Sequence, residues 1–220
     1  MKIVGLDLSI NGSGCVSLTL DDNLDIIDKD FRTFTTVKKN ATDKIIHYNK
    51  KKDFDDYIEQ NIWMTKQIIN FCSLGQYVAI EDYAYGAMGA VFHIGEFCGY
   101  VKHCLYEQEY IMRLYEPTTV KKFIIRGNAD KILIEEEYDK LPKKEKFAEI
   151  EDLPRGGKSP RCDVIDAYNL AKLLQLELKV RAGIITVRDL TDKQREIFNK
   201  VSKKNPENLL VRPFLGEAVC

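Results

Sequence analysis

The first 36 residues alternate between apolar and polar positions and predict three successive strands. These strands cover residues 2–10, 15–20 and 24–36. An Asn-Gly-Ser-Gly sequence at 11–14 and an Asp-Asp-Asn sequence at 21–23 separate them, and both are typical of tight turns. Because strands joined by tight turns pair antiparallel, we expect a β-meander.

From residue 54 onward the apolar spacing predicts helices that alternate with strands. Residues 54–72 carry apolar side chains every three or four positions, which indicates an amphipathic helix. A fourth strand at 77–85, a helix at about 89–108 and a fifth strand at 110–115 follow. The polar, lysine-rich residues 37–52 predict a loop with a short helical piece at 43–48.

The rest of the chain is predicted to be mainly helical. A short helix from Pro117, a charged segment at 129–152 that is helical in pieces and a basic loop at 154–161 come first. A long helix then runs to about residue 180. Thr191 begins a capping-box sequence, which predicts a last helix at about 191–202.

This element order, βββαβαβα with a closing helix, predicts an α/β fold. Strands joined through helices run parallel to one another, so three antiparallel strands are followed by two parallel ones. The result is a mixed five-stranded sheet flanked by helices, and the order resembles that of the ribonuclease H-like fold. We expect residues 1–180 to form this domain and residues 181–220 to form a C-terminal extension with a short helix.

The composition argues against several classes of protein. The 220 residues are 45% hydrophobic, enough for a sizeable core, and no run of about 18 apolar residues predicts a membrane span. Six cysteines lie scattered without paired spacing, and the chain starts directly on a strand, so we expect a reduced, cytoplasmic protein that is not secreted. The net charge of -1 argues against a protein that coats nucleic acid by charge alone.

Four acidic residues lie in apolar surroundings, where a carboxylate is costly unless it is used. Asp7 lies within the first strand, Glu81 within the fourth, and Asp163 and Asp166 three residues apart on the long helix. If that helix packs across both strands, the four carboxylates converge. Taken alone, Asp163 also fits an acid at a helix start.

Such a cluster is typical of a site for divalent cations. Oxygen ligands favour Mg²⁺ or Mn²⁺, and two ions about 3.5–4 Å apart can stabilise both the attacking and the leaving oxygen of a phosphate displacement. The sequence therefore predicts that the four acids are both metal ligands and catalytic residues.

Several segments resemble the RuvC family of Holliday junction resolvases, in particular its divergent phage and viral members. Residues 3–9, 78–81 and 163–167 resemble the strand and helix motifs that hold the family's catalytic acids. Residues 95–99 resemble the glycine-containing helix that pairs its subunits. Residues 116–122 and 127–131 resemble the stretch in which the family keeps basic residues that contact DNA. The resemblance covers about residues 1–175.

The resemblance implies a structure-selective endonuclease that resolves four-way and related branched DNA junctions by paired nicks, in DNA recombination and repair. It further implies a homodimer that pairs through the helix at 89–108, and no nucleotide cofactor. We expect DNA contacts from basic residues after the fifth strand and before the acid pair, and from two tyrosines that could stack on bases: Lys121, Lys122, Arg126, Lys131, Arg155, Lys158, Arg161, Tyr83 and Tyr85.

Some features depart from the family pattern. The family has an aromatic wedge three positions after its strand glutamate, whereas this chain has Ala84 there, between Tyr83 and Tyr85. The segment 132–158 is long and acidic for the family, and the residues after about 180 have no clear counterpart.

Three other functions remain open from the sequence. A ribonuclease H-like nuclease could instead cut RNA–DNA hybrids or plain duplex DNA. A non-catalytic junction-binding module is a second option, although all four acids are present. A sugar-kinase or actin-like ATPase also begins with a strand, an aspartate and a glycine turn, but 220 residues leave little room for its second domain.

Overall fold

A mixed sheet of six strands forms the centre of the molecule. The computed structural model describes residues 1–36, 42–48, 56–72, 76–82, 91–200 and 207–217. The strands are β1 (Lys2–Asp7), β2 (Gly12–Leu20), β3 (Ile26–Thr35), β4 (Ile45–His47), β5 (Tyr77–Glu81) and β6 (Ile111–Tyr115). Their order across the sheet is β4-β3-β2-β1-β5-β6.

The pairing confirms the predicted arrangement of the five main strands. β1, β2 and β3 pair antiparallel as a meander, and β5 and β6 continue the sheet parallel to β1. β5 and β6 each follow a helix, and a crossover through a helix returns the chain in the same direction.

The sixth strand, β4, corrects the prediction for residues 43–48, where we expected a loop with a short helical piece. β4 pairs parallel to β3, and the amide of Thr33 donates to the carbonyl of Lys44 at 2.8 Å. Ile45 is buried in this pairing. The free edge of β3 supplies backbone partners that a local sequence pattern does not reveal.

In the part of the chain that the structure describes, six α-helices flank the sheet. They are α1 (Asp56–Cys72), α2 (Val91–Glu107), α3 (Pro117–Ile124), α4 (Lys131–Asp139), α5 (Arg161–Arg181) and α6 (Asp192–Phe198), with single 3₁₀ turns at Lys143–Glu145, Ala148–Ile150 and Val187–Asp189. The predicted capping box at the start of α6 is confirmed, because Thr191 and Gln194 satisfy each other's backbone amides. Within the described ranges, none of the helices is both long and apolar enough to cross a bilayer.

Alternation along the strands separates two apolar layers. Ile3 on β1 and Ala79 on β5 face α5, whereas Val4 and Val78 face the layer formed with α1 and α2. Odd-numbered positions of β1 and β5 therefore share the α5 face of the sheet.

Two glycines let α5 lie unusually close to this face. A Cβ on Gly5 of β1 would stand 2.1 Å from the carbonyl oxygen of Ala167, and a Cβ on Gly14 of β2 would stand 2.1 Å from that of Asp163. Any side chain at either position would push the helix away. The first two turns of α5 are thus pressed against the ends of β1 and β2.

The residues after 180 pack onto the same core. Leu215 exchanges backbone hydrogen bonds with Met112 of β6, at 2.8 and 2.9 Å. The guanidinium groups of Arg113 and Arg181 lie 4.2 and 4.6 Å from the ring centre of Phe214. This segment therefore covers the edge of β6 on the side away from the meander.

Candidate active site

The carboxyl ends of β1 and β5 bring the first two predicted acids side by side. Leu6 is paired with Ile80 in the parallel register, so the next pair along the strands is Asp7 and Glu81. Both positions lie on the α5 face of the sheet. Asp7 is 9% exposed, and Glu81 is partly buried.

The start of α5 adds the other two acids above them. Because Gly5 and Gly14 admit the helix backbone so closely, Asp163 and Asp166 lie over the ends of the strands. The charge of Asp166 acts on both Asp7 and Glu81. The structure thus brings together the four acids that the sequence pattern singled out.

Mutual repulsion and burial govern the protonation of this cluster. Burial, followed by the charge of Asp166, raises the pKa of Asp7 well above its ordinary value. The same two causes raise the pKa of Glu81 to about 7. Burial also raises the pKa of Asp166. Each shift means that negative charge accumulates here at a cost, which a cation would relieve.

Lys131, at the start of α4, provides a positive charge inside the cluster. Its Nζ lies 3.3 Å from Asp166 Oδ2 and 3.7 Å from Cys162 Sγ. Burial lowers the pKa of Lys131, but the charges of Asp7 and Asp166 outweigh burial and raise it. The sequence predicted a DNA contact here. It did not reveal the ion pair, because only the packing of α4 on α5 creates it.

Asp163 differs from its neighbours in its hydrogen bonds. One carboxylate oxygen accepts from the hydroxyl of Ser159, and the other accepts from the thiol of Cys162 at 3.2 Å. Ser159 and Cys162 were not predicted as site residues. Ser159 stands one turn before Asp163, and this spacing is the only sequence signal for the contact.

The donor set fits a hard divalent cation. Four carboxylates offer only oxygen ligands, and the raised pKa values of Asp7, Glu81 and Asp166 show that positive charge is favoured beside them. Within the described residues, however, no three acidic, histidine or cysteine side chains stand close enough together to hold a metal ion. The carboxylates would therefore have to move closer to one another to bind one.

The predicted DNA-contacting residues on α3 and after it differ in position. Lys121 faces the acids, since its charge lowers the pKa of Glu81 and of Asp166. Lys122 instead forms an ion pair with Glu196 of α6. Arg126 is exposed.

The loop before α5 carries two further predicted contacts at the surface. Arg155 is exposed and pairs with Asp139 and, at 3.5 Å, with Glu151. Lys158 is also exposed. Tyr83 and Tyr85 lie outside the residues that the structure describes.

The prediction that Arg161 contacts DNA is wrong, because its side chain is 0% exposed. Its Nε lies 2.7 Å from Glu135 Oε1, and its other nitrogens bind Asp139 and the carbonyl of Ile150. The second oxygen of Glu135 accepts from the amides of Gly156 and Gly157 at 2.9 and 2.8 Å. Arg161 therefore holds α4 and the basic loop against the start of α5.

Comparisons with known proteins agree with this architecture. No protein family model matches the sequence, and no curated protein matches it either. Among solved structures, Thermus thermophilus RuvC is similar at 15% identity with a TM-score of 0.51, covering 84% of this chain and 98% of that one. T. thermophilus RuvC in complex with a Holliday junction substrate is similar at 12% identity with a TM-score of 0.50, covering 83% and 96%.

These likenesses establish the fold. The chain has the RuvC-like, ribonuclease H-like α/β fold that the order of its elements predicted. At 12–15% identity they do not by themselves transfer an activity.

Proposed function

We propose that this protein is a divalent-metal-dependent endonuclease that cuts four-way and related branched DNA junctions by paired nicks. The observation that carries the proposal is the convergence of Asp7, Glu81, Asp163 and Asp166 at one edge of a RuvC-like sheet. A fold alone hosts many activities, whereas four neighbouring carboxylates, three of them with raised pKa values, suit the binding of divalent metal.

The four acids would hold Mg²⁺ or Mn²⁺, with two ions per site. When bound, such ions activate water and stabilise the departing 3′ oxygen. Asp7 and Glu81 provide ligands fixed by the strand register, and Asp163 and Asp166 provide ligands fixed by α5. Ser159 and Cys162 restrain the carboxylate of Asp163 through their hydrogen bonds.

Basic residues near the four acids would bind the phosphate backbone. Lys121 and Lys131 act directly on the acids and would meet the phosphate nearest the reaction. Arg126 and Lys158 are exposed and would contact phosphates further along the strand. These residues would add affinity and position the DNA strand, but they would not distinguish one base sequence from another.

The exposed face of α2 supports a homodimer. Phe92 is 88% exposed and Tyr106 is 61% exposed, and they lie seven residues to either side of Gly99 on one stripe of the helix. Large exposed apolar side chains around a glycine suit close contact with a second copy across a two-fold axis. Such a dimer would present two cutting sites to a junction that itself has two-fold symmetry.

The dimer is tested by Tyr106→Lys, with Ile184→Lys as a control because Ile184 is exposed elsewhere. In analytical ultracentrifugation we expect wild type and control to sediment as dimers and the Tyr106 variant as a monomer. A monomeric wild type would contradict the proposed surface.

A panel of synthetic DNAs tests the activity itself. We expect Mg²⁺ or Mn²⁺ to support two opposed nicks in a four-way junction and little cutting of a linear duplex or an RNA–DNA hybrid. Equal cutting of junction and duplex would indicate a ribonuclease H-like nuclease of another specificity. Junction binding without any cleavage would indicate the non-catalytic module.

A further inference from the structure

A cavity of about 200 Å³ lies between α3, α4 and α5. Its walls are mainly apolar and aromatic. The residues that line it include Phe123, Ile124, Tyr138, Leu141, Asn169 and Lys172. A small, largely apolar cavity with a few polar groups is the usual form of a ligand site.

Asn169 is the unexplained group in this cavity. It is 8% exposed, and its Nδ2 has no hydrogen-bond partner among the described residues. Buried side-chain amides are normally paired, so an unpaired one calls for a partner supplied from outside the protein chain. The wall also carries Glu137, Tyr168 and Lys172, but none of them bonds this nitrogen.

Asn169 places the cavity one turn along α5 from the acids. On α5, Asn169 follows Asp166 by three residues and so lies on the same side of the helix, about 4.5 Å further along. Because neighbouring nucleotides of a strand are about 3.4 Å apart, the cavity lies within a few nucleotides of a phosphate held at the acids.

We propose that this cavity receives one unstacked nucleobase of the DNA strand bound at the carboxylates, and that the Asn169 amide hydrogen-bonds its edge. The inference rests on the proposed function. A nucleobase has a planar apolar face and a polar edge, which match the walls of Tyr138 and Phe123 and the amide of Asn169. Reading a base here would give the enzyme a sequence preference next to the cut.

The test is an abasic scan of the cut strand. Four-way junctions that lack one base at each position within three nucleotides of the cut are bound to the full-length protein without divalent metal, so that nothing is cleaved. For wild type we expect the affinity to fall about tenfold at one position, as is typical when one stacked and hydrogen-bonded base is lost. Asn169→Leu should bind the intact junction more weakly and show no further loss at that position.

Gln175→Leu is the matched control. Gln175 is also a buried amide on α5, but its Nε2 donates to the carbonyl of Leu24 at 2.6 Å and it does not line this cavity. This variant should lose stability and keep the wild-type abasic profile. Asn169→Leu should melt at or above the wild-type temperature, since leucine leaves no polar group unpaired.

The result of the scan distinguishes a failure of the base-binding cavity from a failure of the proposed nuclease. A flat scan by a wild type that binds and cuts junctions would overturn the base-binding cavity and leave the nuclease intact. A wild type that binds no junction would overturn both. A free nucleoside monophosphate that bound in the cavity as tightly as the strand does would replace the proposed ligand and so contradict the inference.

Discussion

Glu81→Gln should stabilise the metal-free protein, because it removes a charge that the fold accommodates at a cost. The pKa of Glu81 is raised from 4.5 to about 7 by burial and then by Asp166. A tenfold change in proton affinity is worth about 1.4 kcal/mol, so the ionised side chain costs the fold about 3 kcal/mol at pH 8. For a chain of this length that corresponds to roughly 6–12 °C in melting temperature.

The stability that Glu81→Gln gains over wild type should be larger at high pH than at low pH. A carboxyl whose folded pKa is raised contributes its stability below the unfolded value near 4.5 and loses it as the pH rises to about 7. At pH 5 the side chain is mostly protonated in the folded protein, so the variant should gain about 1 kcal/mol or less.

Urea unfolding in EDTA at pH 5 and pH 8 measures both gains. Glu136→Gln, on the exposed side of α4, is the control and should change stability by less than about 0.5 kcal/mol at either pH. Added Mg²⁺ should stabilise wild type more than Glu81→Gln, because wild type has one more carboxylate for the cation to bind and neutralise. A variant less stable than wild type at pH 8, or equally stabilised at both pH values, would refute this reasoning.

Two further substitutions test how the site is held. Gly5→Ala should cost more than about 3 kcal/mol in urea unfolding, because its Cβ would stand 2.1 Å from the carbonyl of Ala167, whereas Gly127→Ala, 3.4 Å from its nearest atom, should cost little. Equal costs would contradict the close packing of α5. Arg161→Met should cost about 3–5 kcal/mol, because it leaves the buried carboxylate of Glu135 without its positive partner. Unchanged stability with weaker DNA binding would restore the surface role first expected for Arg161.

The sequence was sufficient to predict the main elements and the four acids. An acid in an apolar strand or helix is visible locally, and the parallel register of β1 and β5 follows from the crossover between them. The pattern of the chain alone therefore places Asp7 and Glu81 together. Gly5, by contrast, reads as an ordinary strand residue, and Gly14 was predicted to lie in a turn but belongs to β2. Only the packing shows that both set the distance of α5 from the sheet.

Features that depend on tertiary contacts were not predictable. Arg161 lies in a basic loop sequence, yet Glu135 and Asp139 draw it inward. β4 forms because β3 offers a free edge, against the polar composition of its segment. The unpaired amide of Asn169 follows from three helices meeting around it. In each case the partner lies more than ten residues away in sequence or is defined by several elements at once.

The central claim is that the clustered acids cut DNA with the help of divalent metal. The most direct test is single-turnover cleavage of a four-way junction by wild type and Asp7→Asn, with and without Mg²⁺, alongside binding of the same junction. We predict cleavage only by wild type with Mg²⁺, and similar junction affinity for both proteins. Undiminished cleavage by Asp7→Asn, or by wild type in EDTA, would contradict the account.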